Sequence, residues 1–210
     1  MERISNPTIL DIIKSSTELL AKKNISNPRL NVEIILCEVM DCDRVKLYLD
    51  FEKPLTKSEL ELYRQWFKRR LNYEPLQYIT GNAYFFGYRF RVNENVLIPR
   101  QETEILVEKI LEDIKNSGKS YVSILDIGTG SGCIAIALGK KIDGLNIDYN
   151  IVGIDVSKGA LEVAESNLEK LGGDKNKISF VEKDVFTIEN FSKDIDYIVS
   201  NPPYIPFNEF

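Results

Sequence analysis

Residues 121–138 run directly from an apolar strand through a glycine loop into a helix, and this succession constrains the fold more than any other feature of the chain. Val122-Ser123-Ile124-Leu125-Asp126-Ile127 is the apolar run. Gly128-Thr129-Gly130-Ser131-Gly132 is the loop, and Cys133-Ile134-Ala135-Ile136-Ala137-Leu138 opens the helix. The alternation then repeats. Ile151-Val152-Gly153-Ile154-Asp155 reads as a second strand. Ser157 caps a helix through Ala160, Leu161, Ala164 and Leu168, with Gly172 at its C-terminal cap. Ile178–Val181 and Asp196–Ser200 read as two further strands. Strands separated by helices must be parallel and joined by right-handed crossovers, so the expected fold class is α/β with a Rossmann-like sheet.

The segment ahead of this sheet follows a different period. Asn6-Pro7 and Asn27-Pro28 each place a capping residue before a proline at the first helical position. Ile9, Ile12, Ile13, Leu19 and Leu20 follow the first signal at helical spacing; Leu30, Ile34, Ile35 and Val39 follow the second. Thr56-Lys57-Ser58-Glu59 has the form of a capping box, ahead of the stripe Leu60, Tyr63, Phe67 and Leu71. Tyr63 and Trp66 are expected in the core rather than at a ligand. Tyr84 to Val92 changes to strand alternation, with Tyr88, Phe90 and Val92 on one face and Arg89 and Arg91 on the other, which predicts a hairpin turning near Gly87. Helix resumes near Glu102-Thr103-Glu104, with Ile105, Leu106, Ile110 and Ile114 as its apolar stripe.

Composition removes several chemistries. The 210 residues contain no histidine, which excludes Ser-His-Asp and Cys-His catalysis and any His-ligated metal. Cys37, Cys42 and Cys133 form no CxxC pair, so they are expected as free thiols of a reducing, cytoplasmic compartment. The net charge of −5 argues against direct nucleic-acid binding, which calls for a basic surface. No apolar run approaches a membrane span, and no membrane partner is expected.

Four strand-end features carry chemistry. The loop Gly128, Thr129, Gly130, Ser131, Gly132 is GxGxG rather than GxGxxG, because Cys133 stands at the next position; this weakens a dinucleotide reading, and no GxxxxGK[ST] is present. Asp155 ends the second strand, where a carboxylate can accept both hydroxyls of a ribose; capping the next helix is the plainer alternative. Asp184 and Val185 follow the third strand, where Val185 and Phe186 could flank a base; Asp184 could equally bond its own backbone. Asn201-Pro202-Pro203-Tyr204 follows the fourth strand. Its Asn oxygen and a proline carbonyl are two acceptors that do not titrate near neutral pH, suited to the N–H groups of a planar nitrogen. A simple strand-ending turn is the alternative.

Taken together, Glu74-Pro75-Leu76-Gln77-Tyr78-Ile79-Thr80-Gly81, Phe85-Phe86-Gly87, Leu97-Ile98-Pro99-Arg100 with Glu102-Thr103-Glu104, Asp126 to Gly132, and Val199 to Ile205 resemble the protein-(glutamine-N5) methyltransferases of peptide chain release factors, within the class I S-adenosylmethionine-dependent methyltransferases. Gln101 stands where that family usually has proline. The resemblance implies S-adenosyl-L-methionine as cofactor and release factors as protein partners. It implies an N-terminal helical substrate-recognition domain at 1–73, a hairpin linker at 74–100 and a cofactor-binding domain at 101–210. By position, Gly128 to Gly132, Asp155, Asp184, Val185 and Asn201 would hold the cofactor. Asn201, Pro202, Pro203 and Tyr204 would bind the glutamine amide, with Asn201, Pro202 and Tyr204 catalytic and no metal required. Two other readings stand beside it: methylation of an exocyclic amine in DNA or RNA, and an inactive, truncated cofactor-binding fragment. The second arises because four strands are legible where the resemblance implies about seven, so a C-terminal part of roughly 70 residues is expected to be missing.

Overall fold

A computed structural model of the chain describes residues 7–188 and 194–202. It forms two compact units, residues 1–80 and 81–210.

The first unit is helical: α1 (Ile9–Lys22), α2 (Pro28–Met40), α3 (Arg44–Leu49), α4 (Lys57–Leu71) and α5 (Leu76–Thr80). The start of α1 differs from the Asn-Pro signal. Thr8 is the N-cap, and a Thr8–Asp11 capping box satisfies the orphan donors there, so Pro7 precedes the cap and Asn6 lies outside the described residues. Asn27 and Pro28 do open α2, but Asn27 is left-handed and makes no side-chain cap bond. The Asn31 side chain instead donates to the Ser26 and Asn27 carbonyls. The Thr56–Glu59 box caps α4 as read. Ile9, Leu20, Val32, Ile35, Leu36 and Leu47 are sealed in the core, each worth about 1.5–3 kcal/mol of burial; Leu30 is exposed instead. The short helices α3 and α5 have too few turns for a legible period. Glu33 is buried in this unit and binds Arg29, Arg44 and Tyr48. Burial raises its carboxyl pKa, but the bonds from Arg29, Tyr48 and Arg44 outweigh this and hold it below the ordinary value.

The second unit opens with an antiparallel hairpin, β1 (Asn82–Phe85) and β2 (Tyr88–Arg91). Its two-residue turn has positive φ at both Phe86 (50°) and Gly87 (81°). A hairpin turn of matching twist requires this, and it is unusual for a phenylalanine. Then follow α6 (Glu102–Asn116), β3 (Tyr121–Ile127), α7 (Cys133–Ile142), β4 (Asp148–Asp155), α8 (Lys158–Lys170), β5 (Ile178–Glu182) and β6 (Tyr197–Ser200). The last four strands make one parallel sheet in the order β5-β4-β3-β6. Val122, Ile124, Ile134, Ile136, Leu138 and Ile151 form its dry centre. Ile105 faces solvent; of the stripe expected, Ile114 is buried and Leu106 and Ile110 pack half-buried against the core, while Thr103, Val107 and Leu111 complete the buried face. Gly172 (φ 63°) ends α8 in a Schellman arrangement, with the Gly173 N–H bonding the Leu168 carbonyl and the Gly172 N–H bonding that of Glu169.

Candidate active site

The strand order reverses direction at β3. The chain steps outward through β4 and β5, then returns to pair β6 on the other side of β3. At such a switch point the loops leaving two neighbouring strands diverge and open a crevice at their carboxyl ends. Register fixes what stands there. Ile127 pairs with Ile154 of β4 and with Ser200 of β6. Gly128, Asp155 and Asn201 are the next residue of each strand, so they form one row along the sheet edge. The Ser200 hydroxyl donates to the Ile127 carbonyl (2.9 Å), tying the ends of β3 and β6 together.

The glycine loop is anchored at every step. The Gly128 and Thr129 N–H groups both donate to the Ile154 carbonyl (2.8 and 3.0 Å), and the Gly132 N–H donates to that of Thr129. Gly128, Gly130 and Gly132 all have positive φ (70°, 55° and 74°). An added Cβ at Gly128 would meet nothing within 4 Å, whereas at Gly132 it would lie 2.9 Å from the Phe180 ring. The first glycine therefore keeps space open and the last permits close packing. Beneath the loop, Asp126 is fully buried and accepts from the Thr129 hydroxyl at 2.7 Å. Burial pushes its carboxyl up to about 6, with a smaller push from the charge of Asp155 and an opposing pull from the Thr129 bond.

Asp155 is held by two backbone donors. Its Oδ1 accepts from the Ser157 N–H and its Oδ2 from the Gly130 N–H, each at 2.9 Å. A carboxylate offers about four lone-pair positions, so two remain for a ligand. Asp184 bonds its own backbone, accepting from the Phe186 N–H at 2.9 Å and capping a short 3-10 turn. It also lines, with Val185, Gly128, Gly130, Asp155 and Asn201, a cleft of about 530 Å³. That volume lies within the usual range for small-molecule sites. Ser131 is buried and Thr129 nearly so; they support the loop from within. Pro202 lines the same cleft, while Pro203 and Tyr204 lie outside the described residues.

Two residues that sequence reasoning passed over organise this site. Thr103, buried in the first turn of α6, accepts from Asn201 Nδ2 at 2.9 Å. With Nδ2 turned to Thr103, Oδ1 is left as an acceptor. Asn167 in α8 is fully buried and bonds the backbone of Arg91 and Ser131. It sits on the apolar face set by Ala160, Val163 and Ala164, and a polar residue at such a position was the available signal.

A parallel sheet with this loop and this row of strand-end groups, matched over residues 101–208 by the Methyltransferase small domain family, places the chain in the methyltransferase class. Residues 11–81 match the PrmC N-terminal domain. A release factor glutamine methyltransferase from Chlorobaculum tepidum is 42% identical over 97% of this chain and 69% of its own length. One from Leptospira interrogans is 44% identical over 96% of this chain and 69% of its own. The chain belongs to the release factor glutamine methyltransferase family. Among solved structures, a SAM-dependent methyltransferase from Aquifex aeolicus aligns over 45% of this chain and 46% of that one, at 23% identity and a TM-score of 0.36. No helix among the described residues is long and apolar enough to cross a membrane.

Proposed function

We propose that this chain transfers a methyl group from S-adenosyl-L-methionine to the side-chain amide nitrogen of a glutamine in a peptide chain release factor, in the cytoplasm. The observation that carries the reading is the Asn201–Thr103 bond, which leaves an uncharged amide oxygen as acceptor at the end of β6. A second acceptor, the Pro202 carbonyl, follows in the same motif. Together they match the two N–H groups of a primary carboxamide.

The cleft fits the cofactor by its own features. Space stands open where Gly128 lacks a Cβ, and Asp155 retains acceptor capacity in the same row. In this reading the loop Gly128–Gly132 holds the methionine end and Asp155 the ribose hydroxyls. Asp184 and Val185 border the base, and Asn201 borders both the cofactor and the amide. Bound there, S-adenosyl-L-methionine supplies an electrophilic methyl group on a sulfonium.

An amide nitrogen is a weak nucleophile because its lone pair is delocalised into the carbonyl. Asn201 Oδ1 and the Pro202 carbonyl each accept one N–H, which raises electron density on the nitrogen and fixes the amide plane. Both are dipoles already in place, so they need no reorganisation as positive charge develops on the nitrogen, a charge lost when the nitrogen releases one of its two N–H protons and the donor's sulfur leaves as a neutral thioether. Most of the acceleration is orientation.

The test is to incubate the chain with labelled cofactor and a release factor and to locate the methyl by peptide mass spectrometry. One glutamine side chain is expected to gain it, and Asn201→Ala is expected to cost about a hundredfold or more in rate. A folded chain that binds the cofactor yet leaves every release-factor glutamine unmodified would falsify the substrate assignment. Label appearing in DNA or RNA instead would transfer it to an exocyclic amine.

A further inference from the structure

Asn167 is the most completely used buried polar side chain in the second unit, and all its partners are main-chain atoms. Its Oδ1 accepts from the Arg91 N–H at 2.6 Å, and its Nδ2 donates to the Arg91 carbonyl at 3.0 Å and to the Ser131 carbonyl at 2.9 Å. Toward Arg91 the side-chain amide pairs as a neighbouring strand would, matching one donor and one acceptor. Toward Ser131 it holds the peptide between Gly130 and Gly132. The other anchors of the glycine loop come from β3, β4, the loop itself and the first turn of α7: the Ile154 carbonyl, Asp126, Asp155, Thr129 and the Ile136 N–H. The Asn167 bond comes from a helix, and it links the loop to the hairpin.

The hairpin has a second tie. At its turn the Phe86 N–H donates to Glu104 Oε1 at 2.8 Å. Glu104 neighbours Thr103, the residue that orients Asn201. The hairpin is thus bonded at its open end to the residue that holds the glycine loop, and at its turn to the helix end that sets the amide acceptor.

We propose that Asn167 is a positioning residue for the methyl donor, acting through the Ser131 carbonyl, with the hairpin as the brace that holds its amide. This rests on the reading that the glycine loop holds S-adenosyl-L-methionine. Three glycines at positive φ lose much conformational freedom when ordered, and a loop that is not pre-ordered must be ordered by its ligand at a cost in affinity. The Ser131 carbonyl belongs to the peptide that enters Gly132, so releasing it leaves that peptide tied to the fold through the Gly132 N–H alone.

Asn167→Asp keeps the shape and the acceptor, and removes both donor bonds while setting a carboxylate against two carbonyl oxygens. Leaving buried carbonyls unpaired is expected to weaken cofactor binding about tenfold. The measurement is calorimetric titration of the chain with S-adenosyl-L-methionine, paired with thermal melting. Val163→Ala, a core truncation elsewhere in α8, serves as a stability control. Positioning predicts a raised Kd in Asn167→Asp and an unmoved Kd in Val163→Ala at a comparable melting loss. It also predicts that KM for S-adenosyl-L-methionine rises while KM for the release factor holds. If Asn167→Asp does not fold, Asn167→Ser, which is smaller and uncharged, is judged by the same criterion. An unchanged Kd in the folded Asn167 variant, or an equal rise in Val163→Ala, overturns the proposal. A wild-type chain with no affinity for S-adenosyl-L-methionine overturns the functional reading beneath it as well.

Discussion

Thr103→Val tests whether the hold on the Asn201 amide governs methyl transfer. Valine replaces the hydroxyl with a methyl of similar size, so packing in the first turn of α6 is kept while the acceptor 2.9 Å from Asn201 Nδ2 disappears. Without it, the angle at which Oδ1 meets the substrate is no longer restrained; losing a restraint worth about 1 kcal/mol costs about fivefold. The expected fall in kcat/KM for the release factor is therefore about fivefold. Asn201 is partly accessible, so water can take its freed N–H, and the stability loss is expected to stay below about 1 kcal/mol. The assay is the initial rate of glutamine methylation at subsaturating release factor, with S-adenosyl-L-methionine titrated separately. Thr103→Ser restores the hydroxyl and is expected to recover the rate to within about twofold. Full activity in Thr103→Val refutes the reasoning, as does an equal loss in Thr103→Ser or a loss carried wholly by KM for the cofactor.

Two further outcomes follow from the loop and the aspartate beneath it. Gly132→Ala combines a left-handed backbone with a Cβ 2.9 Å from Phe180 and 3.1 Å from both Ala164 and Ile136. At about 3 kcal/mol in total it is expected to lower Tm by about 6–12 °C. Gly128→Ala pays only the backbone term and is expected to lower Tm by about 2–4 °C, while weakening cofactor binding because its Cβ enters the cleft. Equal Tm shifts would contradict the division of roles between the two glycines. Asp126, raised from 3.8 to about 6, binds its proton more tightly when folded. Its stabilising contribution is complete below 3.8 and lost as pH rises through about 6. Urea unfolding of wild type and Asp126→Asn should therefore show wild type losing stability relative to the variant from about pH 4 to 6, then a constant difference. A difference that is flat over that window would contradict the burial argument.

The sheet was legible because β3, β4, β5 and β6 are short apolar runs bounded by glycine, aspartate or proline, and buried parallel strands require that pattern. Asp155 and Asn201 were legible for the same reason, since strand ends are where a chain of this kind exposes chemistry. Thr103 and Asn167 were not. Their partners lie 98 and 76 residues away, and nothing local distinguishes Thr103 from any threonine early in a helix. The start of α1 was misplaced because two local signals competed: Asn6-Pro7 is a good cap in isolation, but Thr8 with Asp11 satisfies two donors reciprocally. In the α6 stripe Ile114, Leu106 and Ile110 do meet the core, but Ile105 faces solvent because the centre of the buried face falls on Thr103, Val107 and Leu111.

The pairing of Ile127 with Ser200 has a consequence for how such an enzyme can change over time. In the proposed reading the donor loop and the acceptor clamp each begin one residue past that pair, on adjacent strands about 4.8 Å apart. Side-chain mutation can reshape what the cleft admits and how each partner is held, while the strand separation beneath them stays fixed. Divergence of substrate in this architecture therefore falls to side chains, in the cleft and on the surfaces that choose which amide arrives.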